Sequence, residues 1–365
     1  MARKYYSNII FCTNPITGYY KYNDLFQIFP LQIKGQPDFL KATHFPLVIE
    51  YWIEEEEAKK VANQMFEGIE EWVSISTLQN NTLKLYTNLL SAFTNHRFFV
   101  YDTDQAWYMP IDKILNEKIK EDVVGSNWGA KWYHFPGLRE KLRIDKFSDL
   151  KMEFIPPVEH PLYFQNPEFD DHEKPVTFSH QTNLIFKAYT MLTHDERKFV
   201  DASVTLICNG QDLKYSMKSL SFISFISSIE TMSSLEFKEK QDQIGFACNS
   251  CKLINSSPYT CPSCGNPIWG ISQQFKEYLK LYVYSGDGFN KVLNTIYGIR
   301  SKIVHSGQLL LGDQFVDWDK NDKQNEEFNT LITLMQYSKL SLSNWLLLNA
   351  KKKVEQKIKN NPPPE

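Results

Sequence analysis

The 365-residue chain contains no P-loop, no G-x-G-x-x-G dinucleotide fingerprint and no G-x-S-x-G nucleophile elbow. It therefore carries no recognisable nucleoside-triphosphate, nicotinamide or serine-hydrolase site. The segment Ser285-Gly286-Asp287-Gly288-Phe289 reads as a turn before a helix, too short to cradle a phosphate. No apolar run approaches the roughly 18 residues of a membrane-spanning helix, and the opening MARKYYSNIIFCTN lacks a signal-peptide core, so the expected compartment is the cytoplasm. Internal repeats are lacking too. So is an excess of positive charge: 40 Lys and Arg stand against 43 Asp and Glu, a net charge of -3. This excludes a broadly basic, nucleic-acid-coating protein, and any RNA contact must come from a local patch or a shaped cleft. The run from Lys351 to Lys359 is one candidate patch, although such a run is ordinarily a solvated helix end.

Cysteine is scarce, six in all, but four are clustered. Cys248, Cys251, Cys261 and Cys264 form a C-x2-C-x9-C-x2-C cassette, and four thiolates at that spacing build a tetrahedral metal site. The expectation is one structural zinc per chain. Two disulfides are the competing reading, disfavoured in a reducing compartment. A closed set of four cysteines leaves no position for a catalytic water. Cys12 and Cys208 read as ordinary thiols.

With 42% hydrophobic and 14% aromatic residues the chain can fill two cores. The first half reads as α+β. Short strands are expected at 9–12, 31–33 and 46–53, a helix opening at the acidic run Glu54–Glu57, a second helix at 81–95, and a hairpin pairing Arg97–Tyr101 with Ala106–Ile111. Prolines from Pro136 to Pro175 interrupt any long element in the next stretch, placing a boundary near 178. Beyond it, helices are expected at 181–194, 197–208, 213–233, 273–284, 288–305 and 326–349. The division is thus an N-terminal sensing or recruitment domain over 1–178, a helical domain over 179–350 interrupted by a zinc-ribbon insertion at 245–270, and a basic, proline-ending tail over 351–365.

The helix at 288–305 carries the chemistry. Val292, Ile296, Ile299 and Ile303 recur at the spacing of a buried stripe, and Gly307 supplies a left-handed stop. Arg300 borders that stripe, and His305 lies in the last turn, where the helix dipole suits a cation. Together they offer a fixed, bidentate charge for a phosphate and a group that moves protons near neutrality. Cations at helix ends are also common without any catalytic role. Glu230 follows Ile223 by seven residues on an expected helix, so it shares an apolar face and reads either as a perturbed site carboxylate or as half of a structural ion pair.

The segment LNTIYGIRSKIVHSG resembles the signature helix of the HEPN superfamily, in which R-x4-6-H marks metal-independent ribonucleases. It is similar to the Apea-like branch associated with phage defence, and SLSFISFISSIETM resembles that family's helix ending in an acidic residue, here Glu230. The resemblance spans roughly residues 180 to 350. It implies a HEPN-like helical bundle, an RNA substrate cut to cyclic 2',3'-phosphate ends, Arg300 and His305 as catalytic residues with Glu230 and Ser301 in support, and a toxic antiviral effector released by a phage-derived trigger. Family membership also implies a homodimer. Five residues turn through about 140° on an ideal helix, so Arg300 and His305 cannot both point squarely at one phosphate from one straight helix. Fraying at Gly307 could relieve this, whereas pairing two such helices about a two-fold axis would bring both chains' residues into one cleft. The alternative is a non-catalytic module in which bundle and knuckle bind a partner or nucleic acid.

Other clusters read as ordinary. Asp170-Asp171-His172-Glu173 sits in a charged, solvated loop more often than around a divalent ion, and His134 and His160 lie among aromatics and prolines where packing is the usual role.

Overall fold

Strand β1, Lys4–Cys12, is the organising element of the first half, buried without interruption from Tyr6 to its end. A strand covered on both faces needs no alternation of apolar and polar residues, which is why Asn8-Ile9-Ile10-Phe11-Cys12 can run continuously. The computed structural model describes residues 3–31, 45–54, 56, 71–100, 143–159, 162–164, 174–238, 246–248, 250–255, 261–265, 270–314 and 321–360. The chain divides into two compact units, Met1–Thr182 and Asn183–Glu365.

In the first unit β1 pairs antiparallel with β4, Phe45–Ile53, in a register running from Lys4 opposite Ile53 to Cys12 opposite Phe45. Strand β2, Tyr20–Tyr22, pairs with β3, Phe26–Pro30, which continues onto β4. The far side of β1 takes two short partners, β5 at Phe98–Phe99 and β6 at Arg143–Ile144. Strands β7, Pro157–Val158, and β8, Phe178–Ser179, form a separate parallel pair. Helix α1, Glu71–Phe93, lies against this sheet: Tyr86 sits 4.9 Å from the Phe26 ring, and Ser91 Oγ accepts from the Phe98 amide at 2.8 Å.

The sheet is longer than the apolar runs alone predict. The strand expected at 9–12 starts at Lys4, because Asn8 accepts a 2.8 Å bond from the buried Tyr51 hydroxyl and so pays for its own burial. In the same way the buried Glu50 accepts from Gln27 Nε2 and the Ser148 amide, both at 2.7 Å. The strand expected at 31–33 is instead β3, ending at Pro30, with residues 32 and 33 outside the described residues. Helix α1 begins ten residues before position 81, at Glu71. Most of the helix expected from Glu54, the strand at Ala106–Ile111, His134, His160 and the cluster from Asp170 to Glu173 also lie outside the described residues.

The second unit is helical: α2 Thr182–Thr190, α3 His194–Leu213, α4 Lys218–Lys238, α5 Ile271–Tyr282, α6 Phe289–Ser306 and α7 Asn321–Asn360. A small hairpin, β9 Phe246–Ala247 with β10 Ile254–Asn255, lies between α4 and α5. Small residues set the approach of α3 to α4. Ser203 and Ser228 hydroxyls meet at 2.7 Å, Ser221 Oγ donates to the Gly210 carbonyl at 2.6 Å, and a Cβ at Gly210 would fall 2.6 Å from the Phe225 ring. Phe222, Phe225, Ile226, Ile229 and Met232 of α4 fill the core beside Phe275, Tyr278 and Leu279 of α5 and Leu331, Leu334, Met335 and Leu346 of α7. Helix α7 runs well past the expected 326–349, continuing exposed and helical through Lys351 and Lys359. No helix of the described residues is long and apolar enough to cross a membrane.

Candidate functional site

Phe289, Leu293 and Ile296 are the buried residues of α6. This corrects the expected stripe, in which Val292 is in fact 39% exposed while Ile299 and Ile303 are only half-buried. The bulkier Phe289 and Leu293 take the core, and Ile296 is shared by both stripes. Continuing the observed series by four residues reaches Arg300, so the arginine lies on the line of the buried face. There it meets Glu230 of α4, with Arg300 Nε 3.5 Å from Glu230 Oε1 and side chains only 18% and 17% exposed.

Tyr297, one turn before Arg300, completes the arrangement. Its hydroxyl donates to Glu230 Oε1 at 3.3 Å, its ring lies 5.4 Å from the Arg300 guanidinium carbon, and the ring of Phe275 packs against it at 5.4 Å. Burial raises the Glu230 carboxyl above its usual range, with Arg300 and Tyr297 pulling it back. Burial and the neighbouring carboxylate likewise raise the Tyr297 phenol. In the sequence this tyrosine stands out only as one letter of the segment LNTIYGIRSKIVHSG. Its position three residues before an arginine on a helix is the signal that the two side chains stack.

Arg300 Nη1 lies 3.3 Å from His305 Nε2. The two side chains thus meet within one chain, which bears on their contact and not on the expected sharing of the site between two chains. An arginine side chain is long enough to bridge the turn of the helix, and α6 closes at Gly307 in a left-handed cap (φ 63°), its N–H bonding the Lys302 carbonyl. Because guanidinium nitrogens only donate, His305 Nε2 must be the acceptor, which places the neutral ring's proton on Nδ1. His305 is exposed, and Ser301 is exposed beside Arg300. The group thus offers a held cation, an accessible imidazole and a carboxylate behind them. A cleft of about 200 Å3 on another flank of α6, lined by Thr295, Ile299, Lys302, Lys323 and Glu326, does not include Arg300 or His305.

The loop after His305 is pinned. Asp313 accepts from the Lys218 and Ser219 amides at the start of α4, at 2.8 and 2.5 Å, where the helix dipole favours a carboxylate. The Leu310 amide donates to Ser219 Oγ, and the Leu311 amide to Glu327.

The cysteines form a second cluster. The four Sγ atoms lie within 4.8 Å of one another, with Cys248–Cys264 and Cys251–Cys261 each 3.5 Å apart. A tetrahedral ion with bonds of about 2.3 Å spaces its sulfurs by roughly 3.8 Å, so the set can hold a metal ion and is compatible with zinc. The two knuckles repeat one turn. In each, the residue after the second cysteine is left-handed (Lys252, φ 62°; Gly265, φ 70°) and its amide bonds the first cysteine's carbonyl at 2.8 Å. Amides of Cys251 and Ser250 lower the Cys248 thiol; for Cys261 burial opposes ionisation, but amides of Cys264 and Ser263 bring it down to about 6. Cys12 and Cys208 are buried, and burial raises Cys12 to about 12, an inert thiol. No family model, curated protein or solved structure matches the chain.

Proposed function

We propose that this chain is a metal-independent RNA endonuclease of the HEPN type, with Arg300 and His305 as its reacting pair. The observation that carries the reading is the 3.3 Å approach of guanidinium to imidazole beside an exposed surface. The 2'-hydroxyl of RNA attacks its own neighbouring phosphorus and the P–O5' bond breaks, leaving a cyclic 2',3'-phosphate and a 5'-hydroxyl. His305 transfers the proton, and Arg300 holds the phosphate and its developing charge. Glu230 steadies Arg300 from behind, and Ser301 lines the approach. Cys248, Cys251, Cys261 and Cys264 would hold one zinc ion per chain. That ion would supply folding energy, and four cysteine ligands would leave it no place for a catalytic water.

The sequence resemblance over residues 180 to 350 supports a toxic effector in prokaryotic antiviral defence, set off by a phage-derived trigger, with the small hairpin and knuckles as a zinc-ribbon insertion in the bundle. A cytoplasmic setting is part of the proposal, since a reducing compartment keeps the four clustered cysteines available to a metal ion. A homodimer is part of this proposal. The exposed Val292 beside half-buried Ile299 and Ile303 gives α6 an apolar strip suited to a second copy, although one chain alone joins arginine to histidine.

The second reading is a non-catalytic module that binds nucleic acid or a protein, favoured by the Glu230–Arg300 pair, whose low exposure also suits a structural bridge. Incubating purified protein with total RNA in EDTA separates the two readings. Cleavage with cyclic phosphate ends, abolished by His305→Ala, is expected. A need for added magnesium, or equal cutting of DNA, would sink the assignment.

A further inference from the structure

We propose that Tyr297 is a positioning residue that, through Arg300, fixes His305 in its Nδ1–H tautomer and keeps the Nε2 lone pair covered until a phosphate arrives. This rests on the reading of His305 as the proton-transfer group, and adds the question of how its reactive nitrogen is selected.

An arginine side chain has several freely rotating bonds and would not by itself dwell against one imidazole nitrogen. Three contacts confine this one. Glu230 takes the Nε edge, Tyr297 presents its ring beneath the guanidinium, and the remaining Nη edge is left facing His305 Nε2. Tyr297 binds both ends of the arrangement, because its hydroxyl also bonds the Glu230 oxygen that meets Arg300. Phe275 of α5 backs the tyrosine ring, so α4, α5 and α6 each contribute to the aim of one guanidinium.

The chemical consequence comes from donor counting. A guanidinium carries five N–H groups, and the Glu230 and His305 contacts use two of them. A phosphodiester entering beside Arg300 is a stronger acceptor than a neutral imidazole and draws the Nη1 proton donor to itself. The Nε2 lone pair is then uncovered next to the phosphate whose 2'-hydroxyl must lose a proton. No proton changes place in this step: one hydrogen bond is exchanged for another. A free imidazole ordinarily prefers the Nε2–H tautomer, which would present a donor where the reaction needs a base.

The test reads the tautomer directly, by long-range proton–nitrogen correlation on 15N-histidine-labelled full-length protein at about pH 8, where imidazoles are ordinarily neutral. Loss of the signal in His305→Gln assigns it. The wild type is expected to show the Nδ1–H pattern at His305, and Tyr297→Leu to revert to Nε2–H. Tyr297→Phe keeps the ring against Phe275 and Arg300 while deleting the hydroxyl, so it serves even where the leucine variant folds poorly. It should show a mixture. RNA cleavage, followed in parallel, should fall about tenfold in kcat for Tyr297→Leu with KM nearly unchanged. An Nε2–H tautomer in the wild type, or an unchanged Nδ1–H tautomer in folded Tyr297→Leu, overturns the proposal. A tautomer that shifts as expected in a protein that cuts no RNA supports the positioning relay and refutes the nuclease reading, so the two failures are distinct.

Discussion

Replacing Gly210 by alanine tests the packing that sets α4, and with it Glu230, in place. The added Cβ would lie 2.6, 2.7 and 2.9 Å from three atoms of the Phe225 ring, against ordinary contacts of about 3.4 Å or more. Phe225 is fully buried, so the ring has nowhere to turn and the two helices must separate by roughly an ångström. Overpacking of this kind costs about 1–3 kcal/mol. Separation also stretches the 2.6 Å bond from Ser221 Oγ to the Gly210 carbonyl, worth about 1 kcal/mol. Alanine returns about 1 kcal/mol of helix propensity, leaving a net destabilisation of about 1–3 kcal/mol. In a unit of this size that lowers the melting midpoint by about 2–4 °C per kcal/mol, measurable by circular dichroism. The companion Gly210→Ala/Phe225→Leu should be no less stable than Phe225→Leu alone, since the smaller side chain removes the clash. A single Gly210→Ala variant as stable as the wild type, or more so, would refute the close-packing argument.

Arg300→Lys should lower RNA cleavage by about 10–100-fold, because an ammonium cannot meet Glu230 and His305 with separate edges; rates within threefold of wild type would refute it. Cys261→Ser should abolish stoichiometric zinc in elemental analysis and depress the thermal midpoint, whereas a mass consistent with two disulfides in the wild type would exclude the metal site. Glu196 gives a pH signature. Burial opposes its ionisation, yet Lys353, Thr193 and Asn349 bring it down to about 2, so its contribution is present above the ordinary carboxylate range and is lost as pH falls through about 2. Glu196→Gln should therefore cost about 1 kcal/mol at pH 7, after allowing for solvent screening, and almost nothing near pH 2. Equal deficits at both pH values in urea titrations would contradict this.

The parts of the fold legible in the sequence are those where one residue class repeats at one period. Helices α3 to α6 announce themselves in this way, and the cysteine spacing alone places four thiols within reach of one ion. Extents are harder to read where polar residues are buried in pairs. Asn8 and Gln27 fall outside the expected strands because their polar side chains are buried only where Tyr51 and Glu50 of the neighbouring strand supply hydrogen bonds. The rotation of α6 is misleading in the sequence because a valine and three isoleucines make a cleaner pattern than Phe289, Leu293 and Ile296, which prevail by bulk. Arg300 and His305 are visible in their motif, but their contact is not, since angles around a helix axis describe Cβ directions and ignore the reach of a long side chain. The role of Tyr297 is hidden for the same reason.

The pinned loop after His305 has a mechanical consequence. Helix α4 is gripped at two places about 18 Å apart along its axis: at Lys218 and Ser219 by Asp313, and at Glu230 by Arg300. The stretch from Arg300 to Asp313 is therefore strung between two anchors on one stiff rod, with His305 partway along it. Such a span resists being drawn outward at its middle, because slack requires releasing an anchor at Arg300 or the holds at Leu310, Leu311 and Asp313. Outward displacement of the backbone at His305 should then be rare and concerted, with the amides of Lys218 and Ser219 losing protection from hydrogen exchange in the same opening that frees the arginine.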